Sequence, residues 1–249
     1  MKTNLLLLST ILILASCSKN KPKNDLFDES IKGNVSQITI TKFSASEKFG
    51  EPYKEKQKSI VLQKFNKEGN ITFDDNFYTI IDTQTNHIIN IIQYNNIGQK
   101  VSAKKGQNSK PYAFYKYNTD GLLNEYTVLD DKGSISNKVV FTYNNDLKSS
   151  ETWFNAQGKI EQKIKYKQNN KGLLEQSTEY NSSGEVKNNM NFSYNSDDLL
   201  EKIDYKEANF NFSQIFKYFD KDEKGNYLKI INYVRNKPIY ITERKIKYY

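Results

Sequence analysis

The sequence predicts an all-β fold, an elongated, twisted antiparallel meander built from tandem hairpin repeats. Three observations predict it. A turn of the form aromatic-Asn-x-x-Gly recurs along the chain. Residues between the turns alternate in polarity with a period of two, and no stretch carries an amphipathic helical period.

The turn appears as Phe65-Asn66-Lys67-Glu68-Gly69, Tyr94-Asn95-Asn96-Ile97-Gly98 and Tyr117-Asn118-Thr119-Asp120-Gly121. It returns as Phe154-Asn155-Ala156-Gln157-Gly158 and Tyr180-Asn181-Ser182-Ser183-Gly184, with variants ending at Gly133, Gly172 and Gly225. Asn or Asp opens a type I turn by bonding its own backbone two residues on, and Gly closes it. The closing residue of such a hairpin needs a left-handed backbone, so Gly121, Gly158 and Gly184 are expected at positive φ. Two turns lack the glycine. Asp198 stands in its place after Tyr194-Asn195-Ser196-Asp197, and Tyr143-Asn144-Asn145-Asp146 deletes it. Asp and Asn tolerate the left-handed region best after Gly. With those turns included, a two-strand unit recurs close to every 26 residues, the signature of stacked supersecondary units.

Between turns, Val186, Met190, Phe192 and Tyr194 share one face of a strand, and Lys187, Asn189, Asn191 and Ser193 the other. Tight turns between successive strands permit only antiparallel neighbours, and the spacing gives roughly a dozen strands or more. The segment from Ile239 to Tyr249 reads as the last strand and is expected to form a sheet edge. Arg244, Lys245 and Lys247 would there discourage pairing with other chains.

The N-terminus carries a different signal. Lys2 precedes the apolar run Leu5-Leu6-Leu7-Leu8-Ser9-Thr10-Ile11-Leu12-Ile13-Leu14. That run is half the roughly twenty residues of a spanning helix, so it reads as a signal peptide. Leu14-Ala15-Ser16-Cys17 then matches the lipobox of bacterial lipoproteins. Residues 1–16 are expected to be removed, 17–32 to form a lipidated tether, and 33–249 to form the repeat domain. Ser18 takes the place where Asp would signal inner-membrane retention, which points to the outer membrane. The basic stretch Lys19-Asn20-Lys21-Pro22-Lys23 favours its periplasmic face over display on the cell surface.

Composition agrees with a strand-rich domain. Apolar residues are 37% of the chain, but there are 18 Tyr, 14 Phe and one Trp, types that fit a pleated surface. The net charge is +8. The lysines alternate with Glu, Gln and Asn along strands, as in Lys159-Ile160-Glu161-Gln162-Lys163, and so read as a solvated face and not a nucleic-acid groove.

The repeats resemble the YD-repeat, or Rhs-type, family, whose unit is Tyr-Asp-x-x-Gly followed by an aliphatic. More narrowly, the chain resembles small envelope lipoproteins carrying such repeats, through Ile31-Lys32-Gly33-Asn34-Val35, Lys224-Gly225-Asn226-Tyr227 and Lys237-Pro238-Ile239-Tyr240. The resemblance covers about residues 31–249 and implies architecture, not toxin delivery, because no toxin domain follows the repeats. Asn usually replaces Asp here, and the Arg that often follows the repeat Gly is missing.

Catalytic candidates are few. His87 is the only histidine, with Asp82 near it in sequence, and it reads as a strand residue. Cys17, the only cysteine, is consumed by lipid, so neither a thiol enzyme nor a zinc site is expected. Asp220-Lys221-Asp222-Glu223-Lys224-Gly225 begins like a calcium loop but has Lys224 and Ile231 where ligands should stand. No metal and no cofactor is therefore expected. The sequence instead implies a non-enzymatic envelope binding or scaffold module that works through a repetitive sheet face. Trp153, Phe210, Phe212, Phe216 and Tyr218 are the expected binding face, and a protein or polysaccharide the partner. The alternative is a hydrolase of envelope glycan using the acid pairs Asp74-Asp75, Asp130-Asp131 or Asp197-Asp198.

The lipobox generates a direct test. Cys17→Ala is expected to abolish palmitate incorporation and to leave a misprocessed precursor. Normal palmitate labelling of the variant would rule out Cys17 as the acceptor.

Overall fold

A computed structural model describes residues 24–28, 30–81, 84–106, 109–207 and 210–249. The expected signal peptide and Cys17 lie outside the described residues, as do Asp82 and the side chain of His87. A one-turn helix, α1 (Asp25–Asp28), precedes sixteen strands. These are β1 (Val35–Lys48), β2 (Glu51–Phe65), β3 (Ile71–Ile81), β4 (Gln84–Tyr94), β5 (Lys100–Lys105), β6 (Pro111–Tyr117), β7 (Leu123–Leu129) and β8 (Ile135–Asn144). Then follow β9 (Leu147–Asn155), β10 (Ile160–Gln168), β11 (Leu174–Asn181), β12 (Val186–Tyr194), β13 (Leu200–Glu207), β14 (Phe210–Lys221), β15 (Tyr227–Val234) and β16 (Lys237–Tyr248).

The turns form as their chemistry requires. Gly158 N–H donates to the Asn155 carbonyl, while Asn155 Oδ1 accepts the N–H groups of Gln157 and Lys159, both at 3.0 Å. The same pattern recurs at Asn95, Asn118, Asn169 and Asn181. Gly121, Gly158 and Gly184 have φ of 78°, 73° and 83°, as expected. Asp198 takes the glycine's role at φ 60°. At the shortened turn Asn145 and Asp146 have φ of 49° and 65°, the double left-handed pair of a two-residue hairpin.

Every strand is antiparallel to its sequence neighbours, so the meander itself is as expected. It is not open, however. β16 pairs with β1 as well as with β15, and the sixteen strands close into a barrel. The closing ladder runs without a register shift from Gln37↔Lys247 to Ser44↔Tyr240. Two expectations fall with it. The domain is a closed barrel and not an open, elongated meander, and the last strand is not an edge. Arg244, Lys245 and Lys247 lie opposite Ile40, Thr39 and Gln37 inside a complete ladder. Closure removes the unpaired row of backbone groups that those charges were expected to guard.

Closure also turns two sheet faces into an inside and an outside. Registered partners point to the same side, and the series Ile38↔Gln63↔Asp74↔Asn90 and Phe216↔Asn232↔Tyr240↔Ser44 fixes one side around the seam. Both buried clusters lie on that side. One comprises Val35, Ile38 and Phe65 with Leu26 and Ile31. The other comprises Leu174, Phe192 and Ile203 with Tyr166, Met190, Tyr205 and Phe216 packed against them.

The segment 24–32, placed by the sequence in the tether, packs against one rim. Leu26 and Ile31 are buried against Ile38 and Phe65. Asp25 accepts the Ile71 N–H at 2.7 Å, the Tyr94 hydroxyl at 3.1 Å and the Lys100 ammonium at 2.5 Å. A side chain on Gly69 would meet Asn24 at 2.6 Å, so glycine is needed there for contact as well as for its φ of 82°.

Nothing lies within 4 Å of a Cβ built on Gly158. Gly158→Val therefore tests backbone strain alone. It is expected to cost about 1–3 kcal/mol, read as a lowered denaturant midpoint with unchanged slope; an unshifted midpoint would show that the turn relaxes freely.

Candidate functional site: the inner wall of the barrel

Aromatic side chains dominate the inner wall. Tyr115↔Tyr126↔Val139↔Trp153 runs across β6 to β9, and Ser177↔Met190↔Tyr205↔Phe212 across β11 to β14. Phe212 stacks on Tyr205 with ring centroids 4.4 Å apart and planes 2° from parallel. Burial pushes the phenols of Tyr115 and Tyr166 far above the usual tyrosine range. Several charged groups on this wall are paired or stacked. Glu151 accepts Trp153 Nε1–H at 2.9 Å and Lys148 Nζ at 3.2 Å, while Glu179 accepts Lys187 and Asn188. Lys42 lies 3.8 Å from the Tyr240 ring centroid, and burial lowers its pKa.

The outer wall has the opposite character. Thr152↔Lys163 and Ser150↔Lys165 face outward on β9 and β10, as do Asn189↔Lys206 and Lys202↔Ile215 on β12 to β14. Lys217 and Lys229 continue the series on β14 and β15. Lys163, Lys165 and Lys217 stand well inside their strands, whereas Lys202, Lys206 and Lys229 are among the first or last three residues of theirs. Apolar residues also occupy this side: Ile60, Leu62, Phe73, Ile89 and Ile91 on β2–β4, and the row Phe43↔Ile241↔Ile231, whose two isoleucines are buried, on β1, β16 and β15.

All five residues of the expected binding face lie on the inner wall, but not at one place. Trp153 is on β9, whereas Phe210, Phe212, Phe216 and Tyr218 are on β14, with four strands between. Phe210 is 46% exposed at the end of its strand, Phe216 packs into a core cluster, and Tyr218 donates its hydroxyl to the Leu200 carbonyl at 2.7 Å.

The acid pairs do not form a hydrolytic site. Asp74 faces inward and Asp75, its chain neighbour, outward. Asp130 Oδ1 accepts the Lys132 and Ser134 N–H groups of its own turn, and Asp197 bonds Lys221 and Tyr227. The calcium-like loop is a hairpin turn in which Asp222 Oδ1 accepts two backbone N–H groups. Among the described residues no group of three or more His, Cys, Asp or Glu is placed to hold a metal ion.

One recurring device escaped sequence reasoning. The tyrosine before the turn donates its hydroxyl to the first strand of its own hairpin: Tyr94 to Ile71, Tyr143 to Leu123 and Tyr194 to Leu174, at 2.5, 2.8 and 2.9 Å. Tyr117 bonds the backbone of Lys100 in the same manner, and Gln168 substitutes its amide, donating to Lys148 at 2.6 Å. These clasps line the rim that α1 occupies. The signal was the tyrosine directly before Asn in Tyr94, Tyr117, Tyr143 and Tyr194. It stayed hidden because Phe154 and Tyr180, in the same motif, precede turns at the opposite rim and face outward under Lys138 and Lys165.

No family model matches the sequence, and no curated protein does. Solved structures do resemble the fold. A porin-like protein from Bacteroides uniformis superposes with a TM-score of 0.60 at 13% identity, over 86% of this chain and 98% of that one. A porin-like protein from Bacteroides vulgatus gives 0.47 at 12% identity, over 88% and 99%. The first likeness establishes the fold class as a closed barrel of the porin-like kind. It overturns the resemblance to YD-repeat lipoproteins, which rested on turn chemistry that any hairpin barrel shares. The binding or scaffold reading falls with it, because the face that was to be displayed is the inner wall.

The clasps make the barrel sensitive to alkali. Burial pushes the Tyr194 and Tyr218 phenols up to about 12, against about 10 in an unfolded chain. Between these values the unfolded chain loses protons that the folded chain keeps, so stability falls as pH rises through this window. The melting temperature is expected to hold up to roughly pH 9.5 and fall above it. The Tyr194→Phe/Tyr218→Phe variant is expected to melt lower at neutral pH, by about 1 kcal/mol for each lost bond, and to decline less steeply in alkali. An unchanged alkaline slope would show that these phenols are not held neutral by folding.

Proposed function

We propose that this chain is a porin-like barrel held at the outer membrane that works through its lumen, as a non-enzymatic carrier of amphipathic molecules. The observation carrying this reading is the polarity of the closed sheet: aromatic inside, lysine-rich outside. Barrels of sixteen strands can enclose a channel, and here the inner wall mixes Tyr, Phe, Trp and Met with polar side chains such as Gln63, Asp74, Glu151 and Asn232. Such a wall suits acyl chains and rings better than ions.

The same polarity decides how the barrel meets the membrane. A spanning barrel presents an apolar band about 25 Å tall to lipid, and each lysine at the bilayer midplane costs about 2–4 kcal/mol. Lys163, Lys165 and Lys217 stand well inside strands on this wall. The outer wall therefore stands in water, and the lipid proposed on Cys17 attaches the chain to the periplasmic face. The N-terminal segment leaves the barrel at the clasped rim, which turns that rim toward the membrane.

The likeness to a porin-like protein favours a second reading, a pore whose wall crosses the bilayer. Two measurements separate them. Added to a planar lipid bilayer, the purified chain is expected to give no conductance steps, and a naphthylamine dye in solution is expected to brighten on binding it. Stepwise conductance would establish the spanning pore. Absence of any dye uptake would remove the lumen as the working part.

A further inference from the structure

We propose that the inner wall carries a recognition site for a protonated amine, formed by Gln63 and Asp74 beneath the N-terminal plug. The proposal rests on the lumenal reading above and names the chemical group that the lumen selects.

Gln63 on β2 and Asp74 on β3 are registered partners on the inner face, which sets their Cβ atoms about 5 Å apart. Gln63 is only 5% exposed, and its Oε1 has no hydrogen-bond partner. Asp74 Oδ1 is likewise buried and without a donor. Both atoms are acceptors, and a buried acceptor left unmet costs about 1–3 kcal/mol, more when charged. Two of them side by side call for one group with several hydrogens to give.

Among the described residues, the nearby donors meet the carboxylate only in part. Asn76 Nδ2 donates to the other carboxylate oxygen of Asp74 at 2.7 Å. The Asn90 side chain also hydrogen-bonds the carboxylate, while its Oδ1 accepts the Tyr112 hydroxyl at 2.8 Å. Ile38, fully buried, closes the side toward β1. Lys100 acts on the carboxylate only through its field, because its ammonium bonds Asp25. Burial raises the Asp74 pKa against the hydrogen bonds that lower it, so the carboxylate gains from a cation brought to it.

The chemistry fits an alkylammonium better than a metal ion. One carboxylate and neutral amide oxygens do not match the several carboxylates of a tight divalent site, and no three acids converge among the described residues. An ammonium brings three donors and one charge. With its chain laid along the aromatic wall, an amine-headed amphiphile would satisfy the acceptor pair and the lumen together.

Calorimetric titration of the purified full chain with decylamine, decanol and decanoate, each below its micelle-forming concentration, tests the site. Decylamine is expected to bind at least ten-fold more tightly than decanol. Asp74→Asn and Gln63→Leu are each expected to bring that ratio to near one while leaving decanol affinity and the melting temperature unchanged. Equal binding of amine and alcohol by the unaltered chain would overturn the amine site and leave the lumen standing. So would a ten-fold preference that survives Asp74→Asn. No binding of any of the three would overturn the lumenal reading itself.

Discussion

The ladder between β1 and β16 is the constraint on which the rest of the structure depends. It joins residues about two hundred positions apart, such as Ile38 and Ile246. Without it the chain is a ribbon with two wet faces and two reactive edges; with it each strand has two partners and each alternating side chain an assigned side. The ends of the chain reinforce the seam. Lys32 N–H donates to Asn226 Oδ1 at 2.8 Å, and Asn226 Nδ2 donates to the Lys32 carbonyl and to the Tyr248 hydroxyl. Tyr249 hydroxyl bonds the Phe65 carbonyl across the junction. Segments before the first strand and at the end of the last thus tie the barrel at its clasped rim, where α1 adds buried Leu26 and Ile31.

Local chemistry made much of the fold legible. Asn155 and Gly158 encode their turn completely, and even the substitution of Asp198 for glycine was readable, because the left-handed region has few tenants. The alternation of Met190 and Phe192 with Asn189 and Asn191 gave the buried side of β12. Closure was not legible. Lys245 and Lys247 read equally well as edge guards or as the outer side of a closed wall, because a strand's own sequence does not say whether its second neighbour exists. The same limit applied to the site. Trp153 and Phe212 announced an aromatic face, but whether that face is displayed or enclosed depends on a ladder formed elsewhere. Asp74 was legible only as half of an acid pair with Asp75 and Gln63 not at all, since their pairing lies in a register between strands.

The repeat has a physical logic once the two rims are distinguished. Turns after β4, β8 and β12 carry tyrosines that point inward and clasp their hairpins at Ile71, Leu123 and Leu174. Turns at the other rim carry Phe154 and Tyr180, which point outward and lie under lysines. The clasp adds a hydrogen bond where a hairpin's open end would otherwise fray, and it does so with a side chain whose ring also lines the lumen. Stability and lining therefore come from the same residues on one rim. The opposite rim carries Phe154 and Tyr180 outside and the exposed ring of Phe210.

Polarity inversion sets this barrel apart in physical terms from a lipid-embedded one. In a spanning barrel, water fills the inside and hydrocarbon presses the outside, so the hydrophobic effect holds the protein in the membrane and backbone hydrogen bonding holds the sheet together. Here the apolar side is the concave one. Burial of Ile38, Phe192 and Ile203 drives the sheet to curl upon itself, and lysine stems laid over outward rings, as Lys165 over Tyr180, keep the convex side in water. Leu174, Phe192 and Ile203 on one part of the inner wall, and Val35, Ile38 and Phe65 with Leu26 and Ile31 on another, thus pack the concave side against itself and against the N-terminal segment.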